Sequence, residues 1–396
     1  MIGPEAGQPA HDPRRRRGRH PDDGHPRQLS SGRETRRNGR ARQDARGHRQ
    51  RAARQRREEE RSEKRAAHDP TLATQVRWRI VPTAMGEPLR TATTTDGRTL
   101  AFAVWGDSDG FPVVQLHGTP GCRLERWPDE DVYRELGVCL VTHDRAGYGR
   151  SDRRRGRRVA DEADDVLALA DHLGFERFGV TGASGGGHHS LACAALLPDR
   201  VVRAACIVGP APLGDPGLEH DAWLAGQDPV NVEEFGWAIA GEDVLRPALE
   251  KELAGMAARV AVDPSTILGD FDLSDTDRAE LQRPERMQII RESITEQAAT
   301  GVDGWVDDDL ASVAPWGFDV GRITVPVLVR YGATDVLVPP AHGEWLAANV
   351  PGCVVKVDDD AGHLGSDPEQ EIAEHVLWLR DGAPPAGSRP PGRAGE

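Results

Sequence analysis

Ser184 stands in the stretch GVTGASGGGHHS, residues 179–190. A lone serine among glycines is either incidental to a flexible turn or a hydroxyl that a tight turn presents as a nucleophile. Gly182-Ala183-Ser184-Gly185-Gly186 has the form G-x-S-x-G. RFGVTG before it reads as a strand, and GGGHHSLACAALLPD after it reads as a helix closed by Pro198. A strand-to-helix junction is where such a serine is held in a sharp, exposed turn. The residues two before and two after it must then be small, and Gly182 and Gly186 meet that need. The helix that follows aims the positive end of its dipole at the serine, which favours developing negative charge.

A serine hydroxyl is a weak nucleophile without a base. The chain has 14 histidines. His363, in DDDAGHLG, falls in a loop after one expected strand and before the last expected helix, a place from which it reaches the carboxyl edge of a sheet. His188 and His189 follow the serine on its own helix and read as packing or surface groups. His117 and His143 end strands and read as structural. The histidine needs a carboxylate to fix its tautomer. Asp335, in YGATDVLVPP, lies in the loop after the strand 325–332. Asp358, Asp359 and Asp360 are nearer in sequence but belong to a strand end, so Asp335 is preferred. A developing oxyanion needs two donors. LHGTPG ends the strand 112–118; Pro120 has no N–H, which leaves Thr119, and Gly185 supplies the second donor.

These residues need a scaffold, and the chain from about residue 90 supplies one. TATTTDGRTLAFAVWG reads as two strands around an Asp96-Gly97 turn. Strands are expected at 112–118 and 137–144, in RFGVTG and VVRAACIVGP, and at 325–332 and 353–360. VADEADDVLALADHLG reads as a helix with Val166, Leu169 and Leu173 on one side and Gly174 as its stop. Strands alternating with helices indicate a mostly parallel sheet covered on both faces. Residues 213–315 differ: Leu245, Leu249, Leu253, Met256 and Val260 form one helical stripe. Met287, Ile290 and Ile294 form a second, and Ser274 is a helix cap. This segment reads as an inserted helical cap dividing a catalytic domain of residues 71–212 and 316–381. Trp223, Trp237 and Trp305 could line a pocket beneath it, but core packing is the favoured reading.

The two ends of the chain differ in kind from its middle. Residues 1–67 carry 20 Lys+Arg against 10 Asp+Glu, a net of +10; the rest nets −24 and the whole chain −14. The basic stretch has almost no apolar residues, so residues 1–70 are expected to be a disordered extension. It lacks interleaved aromatics for base stacking, which argues against a nucleic-acid partner, and an apolar run for targeting. Residues 382–396 read as a Pro/Gly tail. No apolar run approaches the ~20 residues that span a membrane. Five widely spaced cysteines (Cys122, Cys139, Cys193, Cys206, Cys353) show no metal spacing, and a reducing cytoplasm is expected.

HGTPG, DRAGYGRSD (144–152), GASGGG, GATDVLVP and AGHLG occur in this order, and with them the chain resembles the α/β-hydrolase family over about residues 90–380. The resemblance implies an eight-stranded sheet, Ser184 as nucleophile, Asp335 as acid, His363 as base and a cap over the pocket. DRAGYGRSD is implied to be a structural turn, with no catalytic role for Asp144 or Arg145. Epoxide hydrolases and haloalkane dehalogenases of this fold carry aspartate where Ser184 stands, which argues against those activities. HGTPG is also similar to a segment of proline iminopeptidases. The expectation is therefore a serine hydrolase that needs no cofactor or metal and acts on a small ester or related acyl compound. C–C bond or amide hydrolysis, and a low-turnover ligand receptor, are the alternatives on the same fold.

Overall fold

The computed structural model describes residues 89–214 and 218–389. The expected basic extension lies outside these residues, and the tail is described only as far as Arg389. Eight strands are formed: β1 (Arg90–Thr93), β2 (Thr99–Gly106), β3 (Phe111–Leu116), β4 (Val138–His143), β5 (Phe178–Ala183), β6 (Val201–Ile207), β7 (Val327–Gly332) and β8 (Val354–Asp358). They make one sheet in the order β1-β2-β4-β3-β5-β6-β7-β8. β2 runs antiparallel to both its neighbours, and every pairing from β4 to β8 is parallel. Parallel strands are covered on both faces, so their sequences are continuous apolar runs rather than alternating ones. All residues of β4 (VCLVTH) and β7 (VLVRYG) are buried accordingly. The β1–β2 connection turns at Gly97, whose φ of +88° suits glycine.

Two apolar layers cover the sheet. One holds α2 (Glu162–Leu173) and α3 (Gly187–Leu196), with Val166, Phe178, Val180, Leu191 and Val327 at its centre. The opposite layer holds α1 (Asp131–Glu135) and the final helix, where Tyr133, Leu140, Trp378 and Leu379 pack. α2 stops at Gly174, in the left-handed conformation at φ +74°, as expected of a glycine at a helix end.

Between β6 and β7 the described residues form α4 (His220–Leu224), α5 (Pro229–Ala240), α6 (Glu242–Val262), α7 (Asp275–Leu281), α8 (Pro284–Thr300) and α9 (Asp303–Val313). The α6 stripe buries Leu245, Leu249, Leu253 and Val260, and Ala238, Val302, Trp305 and Val306 complete that cluster. The Ser274 side chain accepts the Asp277 N–H and caps α7. On α8 the buried face runs through Ile289, Ser293, Ile294 and Gln297; of the expected stripe Ile294 is buried, while Met287 and Ile290 are only partly so. Two helices follow the insertion, α10 (Pro340–Asn349) and α11 (Pro368–Asp381). Beyond α11, Arg389 forms an antiparallel bridge with Val355, which joins the start of the expected tail to the edge of β8. No helix among the described residues is long and apolar enough to cross a membrane.

The sheet order reverses around β3: the chain passes from β3 outward to β4, then returns to β5 on the other side of β3. In such sheets a crevice opens at the carboxyl ends of the two strands flanking the reversal. The loop HGTPG leaves β3 at this edge, Ser184 follows β5, Asp335 follows β7 and His363 follows β8.

Candidate active site

Ser184 has φ +53°. A non-glycine residue enters this region only at a cost, and its surroundings must hold it there. The glycines around it make the turn possible. A Cβ on Gly182 would overlap the Gly186 carbonyl, and one on Gly186 would overlap the Leu116 carbonyl. Gly185 packs against the β3 loop so closely that a Cβ there would stand 3.0 Å from the Thr119 nitrogen and overlap the Thr119 side chain. Thr119 and Gly185, the two expected donors, are therefore neighbours beside Ser184. A short helical turn, Ser184–Gly186, leads directly into α3.

His363 Nδ1 donates to Asp335 Oδ2 at 2.8 Å, because a carboxylate can only accept. In the neutral ring that leaves Nε2 without a proton. The other Asp335 oxygen accepts from the Leu337 and Val338 N–H groups at 2.8 and 2.9 Å, so the carboxylate is held at both oxygens. Burial alone would lower the His363 pKa. Asp335, by charge and hydrogen bond, and then Asp277 outweigh it, and the ring is held above its usual 6.5. The four other histidines weighed from the sequence are all buried. His117 and His143 are buried; the first receives the Arg145 N–H at Nε2, the second pairs with Glu162 at 2.6 Å. His188 and His189 are fully buried in α3, not on the surface. Asp358 is bonded to Arg330 on β7 rather than to His363.

Two cavities open on this edge. Thr119, Pro120, Ser184 and Leu337 border both. The larger, about 400 Å³, is also bordered by His363, Leu268, Ile289 and Ile290. The smaller, about 320 Å³, is bordered by Trp223, Trp237 and Trp305; Trp223 and Trp305 are buried core residues as well. Among the described residues, no group of three or more His, Cys, Asp or Glu is placed to share a metal ion. All five cysteines are buried and free.

Three carboxylates that motif reading missed support these loops. Asp277, buried in α7, accepts from the His363 and Leu364 N–H groups at 3.0 and 2.7 Å. Gly362 makes room for it, since a Cβ there would overlap that carboxylate. Asp308, buried in α9, accepts from Thr119 Oγ1 at 2.7 Å, Tyr148 Oη at 2.8 Å, and Arg145 and Arg157 at 2.5 Å each. Burial would raise its pKa, but the two guanidiniums hold it well below the carboxylate range. Arg145 also donates to the carbonyls of His117 and Gly118. It thus ties the β3 loop to Asp308, a structural role in keeping with the turn expected of DRAGYGRSD, although its partner was not foreseen. Glu125 accepts the Gly118 N–H at 3.0 Å. A signal for Asp308 was present in WVDDDLASV, where three adjacent acids interrupt an apolar helix and all three are buried.

The chain belongs to the alpha/beta hydrolase fold family, whose model matches residues 112–369. It is 29% identical over 267 residues to a non-heme chloroperoxidase of Streptomyces lividans, covering 65% of this chain and 88% of that protein. It is 24% identical over 280 residues to 3-oxoadipate enol-lactonase 2 of Acinetobacter baylyi, covering 70% and 91%. A bromoperoxidase of Bacillus anthracis shares the fold with a TM-score of 0.56 at 18% identity, covering 74% of this chain and all of that one. Membership places the protein in a family of hydrolases.

Proposed function

We propose that the protein is a serine hydrolase that cleaves small carboxylic esters or related acyl compounds through an acyl-enzyme. Ser184 Oγ attacks the carbonyl carbon while His363 Nε2 takes its proton. The Thr119 and Gly185 N–H groups hold the oxyanion of the tetrahedral intermediate. The intermediate collapses, the C–O bond breaks, and His363 returns the proton to the leaving alcohol. Water, deprotonated in turn by His363, then releases the acid and restores Ser184. Asp335 keeps the imidazole in the tautomer this requires and balances its charge when it is protonated. The helices α4–α9 act as a cap that shapes the pocket.

The observation that carries the reading is the imidazole hydrogen-bonded to a doubly held carboxylate, bordering the same cavity as a serine in a left-handed turn. A fluorophosphonate probe tests it. The expected result is one covalent label per chain, located by peptide mass spectrometry on Ser184 and lost in His363→Ala. A label on another residue, or equal labelling of the variant, would refute the reading.

A further inference from the structure

The smaller cavity beside Ser184 is lined by groups whose chemistry is one-sided. Asp309 and Gln227 both border it, both are buried, and Asp309 Oδ2 and Gln227 Oε1 have no hydrogen-bond partner within the protein. Asp309 is 2% and Gln227 9% exposed. Three donors near them are already used. Gln227 Nε2 donates to the Trp223 carbonyl at 2.9 Å, which fixes the amide with its oxygen left over. Trp305 Nε1 donates to Glu234 at 2.8 Å, and Asn231 Nδ2 donates to the Leu337 carbonyl at 2.9 Å. An acceptor left bare in a buried site is costly, and a native structure that keeps two such acceptors on one cavity calls for a donor from outside.

Charge points the same way. Asp309 and Glu234 are neighbours on this wall, and the Glu234 charge acts on Asp309. Glu233 and Glu252 border the same cavity, and among the described residues none of the four is ion-paired. The one cation on the wall, Arg259, stands 3.3 Å from Asp270, although its Nε makes no hydrogen bond. Burial, then the neighbouring Glu234 carboxylate, hold the Asp309 carboxyl well above its usual range, and the Arg157 charge opposes them without prevailing. The indoles of Trp223, Trp237 and Trp305 add ring faces that attract cations rather than anions.

We propose that this cavity receives a protonated amine of the substrate, so that the compound cleaved at Ser184 is an acyl compound carrying a basic amino group. The proposal rests on Ser184 being the nucleophile. An ammonium supplies the donors that Asp309 and Gln227 lack and the positive charge that the carboxylates lack. A neutral hydroxyl supplies donors without the charge. A carboxylate-bearing substrate supplies neither and would be repelled.

The test is calorimetric binding of benzylammonium and of benzyl alcohol, at pH 7, to the full chain carrying Ser184→Ala. The expected result is that the ammonium binds about tenfold or more tightly, the scale of one charge-assisted hydrogen bond. Adding Asp309→Asn and Glu234→Gln should bring the two ligands close to equal. Equal binding before those changes, or a preference that survives them, would overturn the proposal. If the double substitution disturbs folding, Glu252→Gln is the milder probe, and it should reduce the preference in the same direction. Binding is read here without a nucleophile, so the two claims separate. Amine preference in a protein whose ester hydrolysis does not need Ser184 would keep the cavity assignment and overturn the nucleophile. Hydrolysis that needs Ser184 without amine preference would overturn the substrate class alone.

Discussion

At the scale of single residues, His363 decides the pH behaviour. Its pKa in the folded protein stands above the usual 6.5, because Asp335 and Asp277 together outweigh burial. The proposed mechanism needs the neutral ring, so kcat/KM should fall as pH drops through that raised value. The midpoint of the acid limb is expected above 6.5 in a plot of kcat/KM against pH. Asp335→Asn removes the largest favourable influence, so the limb should move to lower pH and kcat should fall by about 10³- to 10⁴-fold, as when a triad carboxylate is lost. A midpoint below 6.5 in the wild type, or a limb that the variant leaves in place, would show that another group titrates. These positions were readable from sequence because each sits in a loop directly after an apolar strand, with glycine or a turn residue beside it. The left-handed turn at Ser184 was readable too, since only glycine fits at 182 and 186.

At the scale of elements, the supporting contacts were not readable, because their partners are far apart in the chain. Asp277 and His363 are 86 residues apart, and nothing in DLSDTDRAE says that an acid in its first helical turn will face a loop after β8. The short range of the signal gave the Ser274 cap but not what the capped helix holds. Asp277→Ala would leave the His363 and Leu364 N–H groups without their acceptor, at a cost of about 1–3 kcal/mol for each buried donor left bare. We expect kcat/KM to drop by about tenfold or more, from misplacement of the imidazole. The acid limb should also shift to lower pH, because the Asp277 charge helps to raise the His363 pKa. A purely structural role would lower the melting temperature without moving the limb. Asp277→Asn keeps one acceptor and should recover part of the activity.

At the scale of the whole molecule, Asp308 joins the helical insertion to the β3 loop and to the turn after β4. Arg145, Arg157, Tyr148 and Thr119 converge on one buried carboxylate. Asp308→Ala would leave two buried guanidiniums uncompensated, and breaking a buried ionic group from one side costs about 3–5 kcal/mol. Calorimetry should show the melting temperature lowered by roughly 10 °C, with ester hydrolysis reduced as well, since the Thr119 hydroxyl loses the acceptor that anchors this residue. A variant as stable as the wild type would mean that the loop is held by Glu125 and the glycine packing alone. The order of the strands followed from apolar runs and their punctuation, whereas the helices Asp131–Glu135 and Pro340–Asn349 were not read from the sequence. Nor was the convergence on Asp308, because charge pairing inside a core leaves no periodic trace in a sequence.

The most direct measurement is steady-state hydrolysis of p-nitrophenyl esters, from acetate to laurate, by the wild type and by Ser184→Ala. The wild type should turn over many times, with a chain-length optimum set by the cavities at Ser184, and the variant should not exceed the uncatalysed rate. Turnover that the variant retains would contradict the proposed mechanism, and so would a wild type that releases no more than one product per chain.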